Sequence, residues 1–352
     1  MDVSCSVKLN NGDSIPVLGF GVWTGMDPEA QRESVEWIQT AIKAGYRHFD
    51  TALIYGTERP LGEAIRKSGV PREEFFICTK FPWNYHGRII ESLNESLESL
   101  GTNYVDLFLM HWPQYVVYEK DNFLPRNLDG TLRVTEERNF NQSWEVMEKL
   151  LESGKCKAIG VSNFSIKTLE KLYTTAKIIP AVNQIELHPY LVQEELVEYC
   201  RGKGIVVVAY TPSGTDVVRK DPVIVELAAK YNATPTQVIF AWHLARGVVI
   251  IPKSADEGRQ KENKKLPVLD PEDVKRISGL DRNDRLCSKH MEVNGTLWGW
   301  TYEQFGTFLS LFCLLFSYGH CRMGVVVQLM GSVFSRYLEL LCWIRHLRRY
   351  NV

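Results

Sequence analysis

The sequence predicts a (β/α)8 TIM barrel, preceded by a β-hairpin and followed by an atypical apolar C-terminal extension. Eight short apolar segments alternate with helical patterns, as in a parallel sheet covered by helices. Most of these segments are apolar on both faces, which is typical of strands buried on both sides. Polar residues suited to catalysis follow several successive segments, and barrels of this class carry their active sites at the C-terminal ends of their strands.

The hairpin is predicted from the apolar residues on either side of the NNGD sequence at residues 10–13, because Asn-Gly favours a tight turn. Eight strands favour closure into a barrel, and the GFGVW segment lacks the third glycine of the dinucleotide-binding fingerprint of open sheets. The eight predicted strands are Val17–Val22, Arg47–Phe49, Phe75–Thr79, Val105–Met110, Ala158–Val161, Ala181–Ile185, Ile205–Tyr210 and Val248–Ile251.

Helices are predicted where apolar residues recur every three or four positions. Val35, Ile38 and Ile42 share one face of the segment from Pro28 to Lys43. Gly101 is a natural C-cap for the next such segment, since glycine adopts the left-handed conformation that often ends a helix. The remaining predicted helices are Arg88–Leu100, Gln142–Ser153, Ile166–Thr175, Gln193–Arg201, Pro222–Tyr231 and Pro235–Arg246.

Composition places few demands on partners. A net charge of −1 over 352 residues gives no general attraction to nucleic acid or to anionic membranes. No pair of the eight cysteines has CxxC spacing, and no His/Cys cluster has the spacing of metal ligands. We therefore expect reduced thiols, no bound metal and a cytoplasmic protein. The N-terminus has no apolar h-region, so no secretory signal is expected.

The sequence from residue 307 onward departs from the barrel pattern, since it is apolar, contains cysteine and is basic at its end. We therefore divide the chain into a barrel at residues 1–306 and a tail at residues 307–352. An uncharged stretch from Phe305 to Gly319 falls short of the roughly 18–20 residues that span a bilayer, and His320 and Arg322 interrupt any longer span. Three interpretations stay open: a helix pair at a membrane, a helix that covers the barrel, and a segment unrelated to the fold.

Four residues at the ends of successive apolar segments carry the functional hypothesis. Asp50 closes GYRHFD, Tyr55 lies in TALIYG, Lys80 ends FFICTK and His111 ends VDLFLMH. Each alone is compatible with a structural role, for example Asp50 as a helix N-cap. Together they suit proton transfer to a carbonyl oxygen. A phenol has a pKa of about 10, and a neighbouring ammonium lowers it, so Lys80 fixed by Asp50 would help Tyr55 to act as a general acid.

Six segments together resemble the signature sequences of the aldo-keto reductase family, and they occur in the family's order between about Val7 and Gly306. The segments are GYRHFDTALIYGTERPLG, DLFLMHWP, KAIGVSNF, VNQIELHP, AYTP and IPKSADEGRQKEN. The FPWNYHGR insertion and the WGWTYEQFG ending resemble fungal members. The resemblance implies NADPH-dependent reduction of aldehydes or ketones, with Asp50, Tyr55, Lys80 and His111 as the catalytic tetrad. It also implies a small-molecule carbonyl substrate and a monomer.

The resemblance assigns NADP(H) contacts residue by residue. Ser162, Asn163 and Gln184 would hold the nicotinamide carboxamide, Tyr210 would stack on the nicotinamide ring, and Thr24 would also contact the cofactor. Lys253, Ser254 and Arg259 match the site for the adenosine 2′-phosphate, while Glu262 and Asn263 match the adenine contacts. The cations after the eighth strand favour NADP(H) over NAD(H).

The substrate pocket is predicted to have aromatic walls, as small-ligand sites often do. Trp298 and Trp300 are equally compatible with packing, and Tyr85 is a further possible member. The candidates are Trp23, Trp83, Trp112, Trp298 and Trp300.

The sequence departs from the family pattern at Thr57, at Ser213, in the short stretch Gly214–Asp221 and at Gln260, where an aliphatic residue is usual. The second and third departures bear on cofactor affinity and release. An alternative function is that of a non-catalytic, NADP-binding regulatory or membrane-associated subunit of the same fold. The complete tetrad argues against it, because a binding module has no need of Lys80 and Asp50 around Tyr55.

Overall fold

The computed structural model describes residues 2–306, so the predicted tail at residues 307–352 lies outside the described residues. An antiparallel hairpin of strands β1 (Ser6–Lys8) and β2 (Ser14–Pro16) opens the chain. Gly12 lies in its turn with a φ of 94°, a conformation that glycine adopts without strain. The predicted hairpin is therefore confirmed.

Eight parallel strands follow, and each pairs with the next along the chain. The first and last are joined by hydrogen bonds from Ile250 N to Val17 O (3.0 Å) and from Gly19 N to Ile250 O (2.8 Å), so the sheet closes into the predicted barrel. The strands are β3 (Phe20–Gly21), β4 (His48–Asp50), β5 (Phe76–Phe81), β6 (Val105–Met110), β7 (Cys156–Ser162), β8 (Val182–Glu186), β9 (Val206–Tyr210) and β10 (Val249–Ile250).

The helices that surround the barrel include every predicted one, with bounds shifted by a few residues at most. Three short 3-10 helices occur at Leu53–Tyr55, Arg72–Glu74 and Ser288–Met291. The α-helices are α1 (Pro28–Lys43), α2 (Glu58–Ser68), α3 (Ile89–Leu100), α4 (Phe140–Leu151), α5 (Ile166–Tyr173), α6 (Glu194–Gly202), α7 (Asp216–Arg219), α8 (Pro222–Lys230), α9 (Pro235–Ala245), α10 (Glu257–Glu262), α11 (Pro271–Ser278) and α12 (Tyr302–Phe305).

Helix α2 was not predicted, and its sequence explains why. Pro60 and Gly62 near its start lower the helical propensity of the segment. Gly62 is nevertheless required, because a Cβ at this position would lie 2.1 Å from the carbonyl oxygen of Leu100. The glycine therefore lets α2 approach the end of α3 closely, and tertiary packing outweighs the local preference.

The core has two layers. Inside the barrel, Leu9 and Ile15 of the hairpin pack with strand residues such as Leu107 and Val249, so the hairpin covers one end of the barrel. A larger layer lies between the strands and the helices, where Trp144 and Trp242 are fully buried. No helix within residues 2–306 is long and apolar enough to cross a membrane.

A three-stranded antiparallel sheet near the end of the described chain was not predicted. Its strands are β11 (Glu292–Val293), β12 (Thr296–Leu297) and β13 (Trp300–Thr301), and α12 follows directly. Leu297 packs with Trp83 and Trp112 in a third apolar cluster. The segment therefore lies against the loops that follow β5 and β6, at the C-terminal end of the barrel.

Candidate active site

The tetrad lies at the C-terminal end of the barrel. Asp50 ends β4, Lys80 lies near the end of β5, and His111 follows β6 directly. Tyr55 closes the 3-10 helix that follows β4. The C-terminal ends of parallel strands meet at one rim of the barrel. Asp50 and His111 therefore lie at one site, although they are 61 positions apart in the sequence.

Lys80 and Asp50 form a buried ion pair. Lys80 Nζ donates to Asp50 Oδ1 at 2.6 Å and to the carbonyl oxygen of Thr51 at 2.8 Å. The Lys80 side chain is fully shielded from solvent. Burial opposes its charge, but Asp50 and Tyr55 together raise the pKa of Lys80 above its ordinary value. The ammonium is therefore a fixed cation beneath Tyr55.

Tyr55 is a neutral phenol in this setting. Lys80 Nζ lies 4.9 Å from the centre of its ring. Burial raises the pKa of Tyr55 to about 12, although Lys80 acts in the opposite direction. The sequence correctly indicated the direction of the Lys80 effect, but the expected net lowering of the Tyr55 pKa is wrong. The effect of burial is the larger one, so the phenol keeps its proton near neutral pH and is available to donate it.

His111 completes the group as a neutral imidazole. Its Nε2 lies 3.4 Å from Tyr55 Oη. Burial and the charge of Lys80 lower the pKa of His111 well below its ordinary value. Its Nδ1 is buried without a hydrogen-bond partner among residues 2–306. A hydrogen on Nε2 therefore avoids a buried, unpaired N–H and points the donor towards Tyr55.

The residues assigned to the nicotinamide lie beside the tetrad and are linked to it. Asn163 Nδ2 donates to the carbonyl oxygen of His111 at 3.0 Å, and Tyr210 Oη donates to Asn163 Oδ1 at 2.8 Å. Ser162 Oγ donates to the carbonyl oxygen of Gln184 at 2.8 Å. Gln184 Nε2 in turn donates to Asp50 Oδ2 at 2.7 Å. This last contact, which the sequence did not reveal, gives Gln184 a direct role in holding Asp50.

The loop assigned to the 2′-phosphate follows β10 and leads into α10. Lys253 and Arg259 are exposed cations, while Ser254 is buried between them in sequence. The unusual Gln260 is fully buried and donates to the carbonyl oxygens of Ser254 and Trp37, each at 2.9 Å. The amide thus fastens the loop to α1, a contact that an aliphatic residue would not make.

The other assigned cofactor residues lie near these two groups. Glu262 accepts a hydrogen bond of 2.8 Å from Thr234 Oγ1, and Asn263 is buried at the end of α10. Thr24 is half-buried after β3, directly beyond Trp23. The ten assigned positions therefore lie in the C-terminal halves of strands β7, β8 and β9, in the segments that follow β3, β7 and β10, or in and directly after helix α10.

Three of the predicted aromatic residues surround the tetrad. The Trp23 ring centre lies 4.8 Å from that of Tyr55, and the Trp83 ring centre lies 5.7 Å from that of His111. Trp298 packs on Trp83 at 4.2 Å and brings the end of the described chain to the site. These rings line one side of the tetrad.

The other aromatic candidates lie farther out. The ring centres of Trp112 and Trp298 lie 5.3 Å apart. The aromatic contacts of Trp300 within the described part of the chain are with Phe140 and Phe305. Tyr85 packs on Tyr118 and Phe123. Packing alone accounts for the positions of Trp300 and Tyr85, and their role in the pocket stays a prediction.

Two residues next to the tetrad were quoted in a motif without a role. Thr57 Oγ1 lies 3.1 Å from Thr51 Oγ1, and Glu58 accepts a hydrogen bond of 2.6 Å from Thr79 Oγ1. Both side chains are buried. Their only signal in the sequence is adjacency to Tyr55, and the partner of Glu58 lies 21 residues farther along the chain.

The sequence pattern of the Aldo/keto reductase family matches residues 17–282. The chain is 44% identical over 286 residues to glycerol 2-dehydrogenase (NADP(+)) of Saccharomyces cerevisiae, covering 78% of this chain and 90% of that protein. It is also 44% identical over 292 residues to aldehyde reductase YPR1 of the same yeast, covering 79% of this chain and 91% of that protein. D-galacturonate reductase of Hypocrea jecorina is 40% identical over 312 residues, covering 86% and 97%. The expected similarity to fungal proteins is confirmed.

Proposed function

The chain belongs to the aldo/keto reductase family, and we propose that its tetrad reduces aldehydes and ketones to alcohols with NADPH. The observation that supports this most strongly is the buried contact of Lys80 with Asp50 beneath the neutral phenol of Tyr55. A fixed cation below a protonated phenol is an arrangement for delivering a proton. Oxidation of alcohols is the same reaction in reverse, and the cofactor ratio sets its direction.

Tyr55 is the general acid in this proposal. NADPH, when bound by these residues, would supply the hydride for the carbonyl carbon. The Tyr55 hydroxyl donates its proton to the carbonyl oxygen, and Lys80 stabilises the phenolate that results. Asp50 holds Lys80 in place, and Gln184 holds Asp50.

His111 orients the substrate. As a neutral imidazole with its hydrogen on Nε2, it donates to the same carbonyl oxygen that faces Tyr55. Trp23, Trp83 and Trp298 form the walls around that position and keep bulk water away. A dry site strengthens each of these hydrogen bonds.

The residues present fit NADP(H). A hydroxyl at the end of β7, a side-chain amide directly after it and another within β8 match the donors and acceptors of a carboxamide. The Tyr210 ring beside Asn163 is suited to stacking on a nicotinamide. Lys253, Ser254 and Arg259 supply two cations and a hydroxyl, a donor set that suits a phosphate.

The names of three relatives refer to glycerol, aldehydes and D-galacturonate. We take small carbonyl compounds of these kinds as the substrate class of this chain. The pocket walls favour small substrates with one apolar side. Trp298 Nε1 is buried and has no hydrogen-bond partner within residues 2–306. A second oxygen on the substrate, beyond the carbonyl, would satisfy this N–H, which favours hydroxylated aldehydes over unsubstituted ones.

The cellular setting is also part of the proposal. The described cysteines Cys5, Cys78, Cys156, Cys200 and Cys287 are free thiols. Free thiols support a reducing compartment such as the cytoplasm. A monomer is proposed by analogy with the family alone.

The test is turnover of the full-length chain, followed by NADPH absorbance with glyceraldehyde and with an aromatic aldehyde. NADH serves as the matched control cofactor. Consumption of NADPH with little consumption of NADH supports the proposal. Binding of NADPH without turnover of either aldehyde contradicts it and favours a regulatory subunit.

A further inference from the structure

Glu186 is a buried carboxylate that the proposed reaction does not use. It ends β8, two residues after Gln184, and its side chain is fully shielded from solvent. Residues two apart in a strand face the same side of the sheet. Glu186 therefore shares a face with the residue that holds Asp50, and it pairs in register with Tyr210 on β9.

The hydrogen-bond partners of this carboxylate lie about a hundred residues later in the chain. Oε1 accepts from the backbone N–H groups of Leu286 (2.5 Å) and Cys287 (2.7 Å). Oε2 accepts from the backbone N–H of Ser288 at 3.1 Å and from its hydroxyl at 2.8 Å. Three successive N–H groups converging on one carboxylate form an anion-binding turn, here filled from within the protein.

These contacts keep the carboxylate ionised. Burial alone would raise the pKa of Glu186, but the hydrogen bonds from His188 and from the backbone of Cys287 lower it to about 2. A buried charge held by several N–H donors is costly to break, because each donor would then be left unpaired. The loop at residues 286–288 is thus fixed firmly to the barrel.

The loop opens the segment that carries Trp298. From Ser288 the chain runs through strands β11 and β12 of the small sheet to Trp298, which packs on Trp83 beside His111. The far end of the segment has its own anchor, since Gln114 Nε2 donates to the carbonyl oxygen of Trp298 at 3.1 Å. Glu186 and Gln114 thus hold the segment at both ends.

We propose that Glu186 is a positioning residue that fixes the segment at residues 286–298 and thereby sets the carbonyl-binding wall of the pocket. Cavity geometry supports this role. One cavity is lined by Trp112 and Asn163, which lie next to the tetrad, together with Arg285 and Leu297, which directly precede the fixed loop and Trp298. A shift of the loop would change that wall and leave the tetrad, which is built on β4–β6, in place.

The inference rests on the proposed function, and its test is Glu186→Gln in the full-length chain. Gln keeps the shape of the side chain but presents an NH2 group to two donors on Ser288. We expect the KM for the carbonyl to rise about tenfold and kcat to stay within about twofold, the pattern of lost substrate binding. Amides 286–288 should also exchange hydrogen faster, with the barrel strands unchanged.

The matched control is Asp106→Asn. Asp106 is another buried carboxylate, at the opposite end of the barrel, and accepts from the backbone N–H of Ile77 at 2.9 Å. This variant should lose stability without a change in KM. A wild-type KM in Glu186→Gln, or an equal KM rise in both variants, overturns the proposal.

A second variant covers the case in which Glu186→Gln does not fold. Ser288→Ala removes one donor and keeps the carboxylate, and it should raise KM about two- to threefold. An unchanged KM in that variant overturns the proposal. If the wild type itself shows no turnover, the proposed function fails, and hydrogen exchange in the variants still decides whether Glu186 holds the loop.

Discussion

Gln184 Nε2 donates a hydrogen bond of 2.7 Å to Asp50 Oδ2, while Lys80 occupies Oδ1 of the same carboxylate. Both oxygens of Asp50 are therefore satisfied inside the barrel, and Lys80 has little freedom to move. Tyr55, the proposed proton donor, thus lies over an ion pair that is itself held by a residue from a strand on another side of the barrel. Rigid placement of this kind is what allows a charge to act without reorganisation.

Replacing Lys80 should separate stability from catalysis. Lys80→Met leaves Asp50 buried without its cation, and we expect a loss of about 3–5 kcal/mol in the free energy of unfolding. Turnover should fall by about 10²–10⁴-fold, since Tyr55 loses the cation beneath it. Urea unfolding and NADPH consumption measure the two effects.

The double variant Asp50→Asn/Lys80→Met is the control for that experiment. It removes both charges, so stability should largely return while turnover stays low. Restored turnover in the double variant would mean that the ion pair serves the fold alone.

The pH profile should differ between the two directions of the reaction. Burial raises the pKa of Tyr55 to about 12, so the phenol stays protonated from about pH 6 to about pH 9. Reduction requires the protonated form and should show no loss from this group in that range. Alcohol oxidation requires the phenolate and should accelerate as the pH rises. Steady-state rates measured in both directions across this pH range test the prediction. It would be contradicted if the rate of reduction fell as the pH rose, with a midpoint near neutral pH that is assigned to loss of the Tyr55 proton.

Cofactor selection should depend on the loop after β10. Arg259→Ala or Lys253→Met removes a cation from the donor set for the 2′-phosphate, so the KM for NADPH should rise about tenfold or more. The KM for NADH should hardly change, because NADH lacks that phosphate.

Lys261→Met is the matched control, since Lys261 lies on the same helix α10 and pairs with Glu257 at 2.6 Å. Equal effects of all three variants on NADPH would indicate general electrostatic attraction and not a phosphate site.

Acid should destabilise the barrel below about pH 6.5. Burial lowers the pKa of His86 to about 4 and that of His243 to about 3, and it also lowers those of His48 and His111. The unfolded chain takes up these protons first, so the stability is complete above about pH 6.5 and is lost as the pH falls towards the folded values. Glu58 acts in the opposite direction, because burial raises its pKa to about 7 and the folded chain therefore takes up this proton before the unfolded chain does.

Urea unfolding at about pH 7.5 and about pH 5.5 measures this balance. The unfolded chain binds four more protons at these histidines and one fewer at Glu58, a net difference of three. The free energy of unfolding should therefore fall with a limiting slope of roughly 4 kcal/mol per pH unit as the pH drops below about 6.5. Glu58→Gln removes the opposing group and should steepen the slope. A free energy of unfolding that does not change over this range would show that the histidines are not buried in neutral form.

The sequence predicted the barrel, and the meeting of the four tetrad residues at one rim of it, because both depend on local signals; the catalytic roles stay a prediction. Apolar runs mark the strands, and the fold itself brings their ends together, so Asp50 and His111 could be placed at one site before any contact was known. Helix α2 was not predicted because Gly62 is needed for a close contact with Leu100. Local helix propensity does not include such contacts.

Contacts between distant segments could not be predicted. Gln184 was assigned to the cofactor from its motif, yet its amide also holds Asp50. Glu186 stands in the same motif, and its partners are backbone N–H groups at residues 286–288, which leave no trace in side-chain identity. The small sheet β11–β13 likewise has strands of two residues each, too short for a periodic signal.

The most direct test of the account is the turnover of Tyr55→Phe beside the wild type, with NADPH and an aldehyde at saturating concentrations. The variant keeps the ring that packs on Trp23 and loses only the hydroxyl. NADPH affinity, measured by fluorescence, should stay close to that of the wild type. We expect turnover to fall by about 10²–10⁴-fold, the usual contribution of a general acid. Wild-type turnover in Tyr55→Phe would contradict the assignment of Tyr55 as the proton donor.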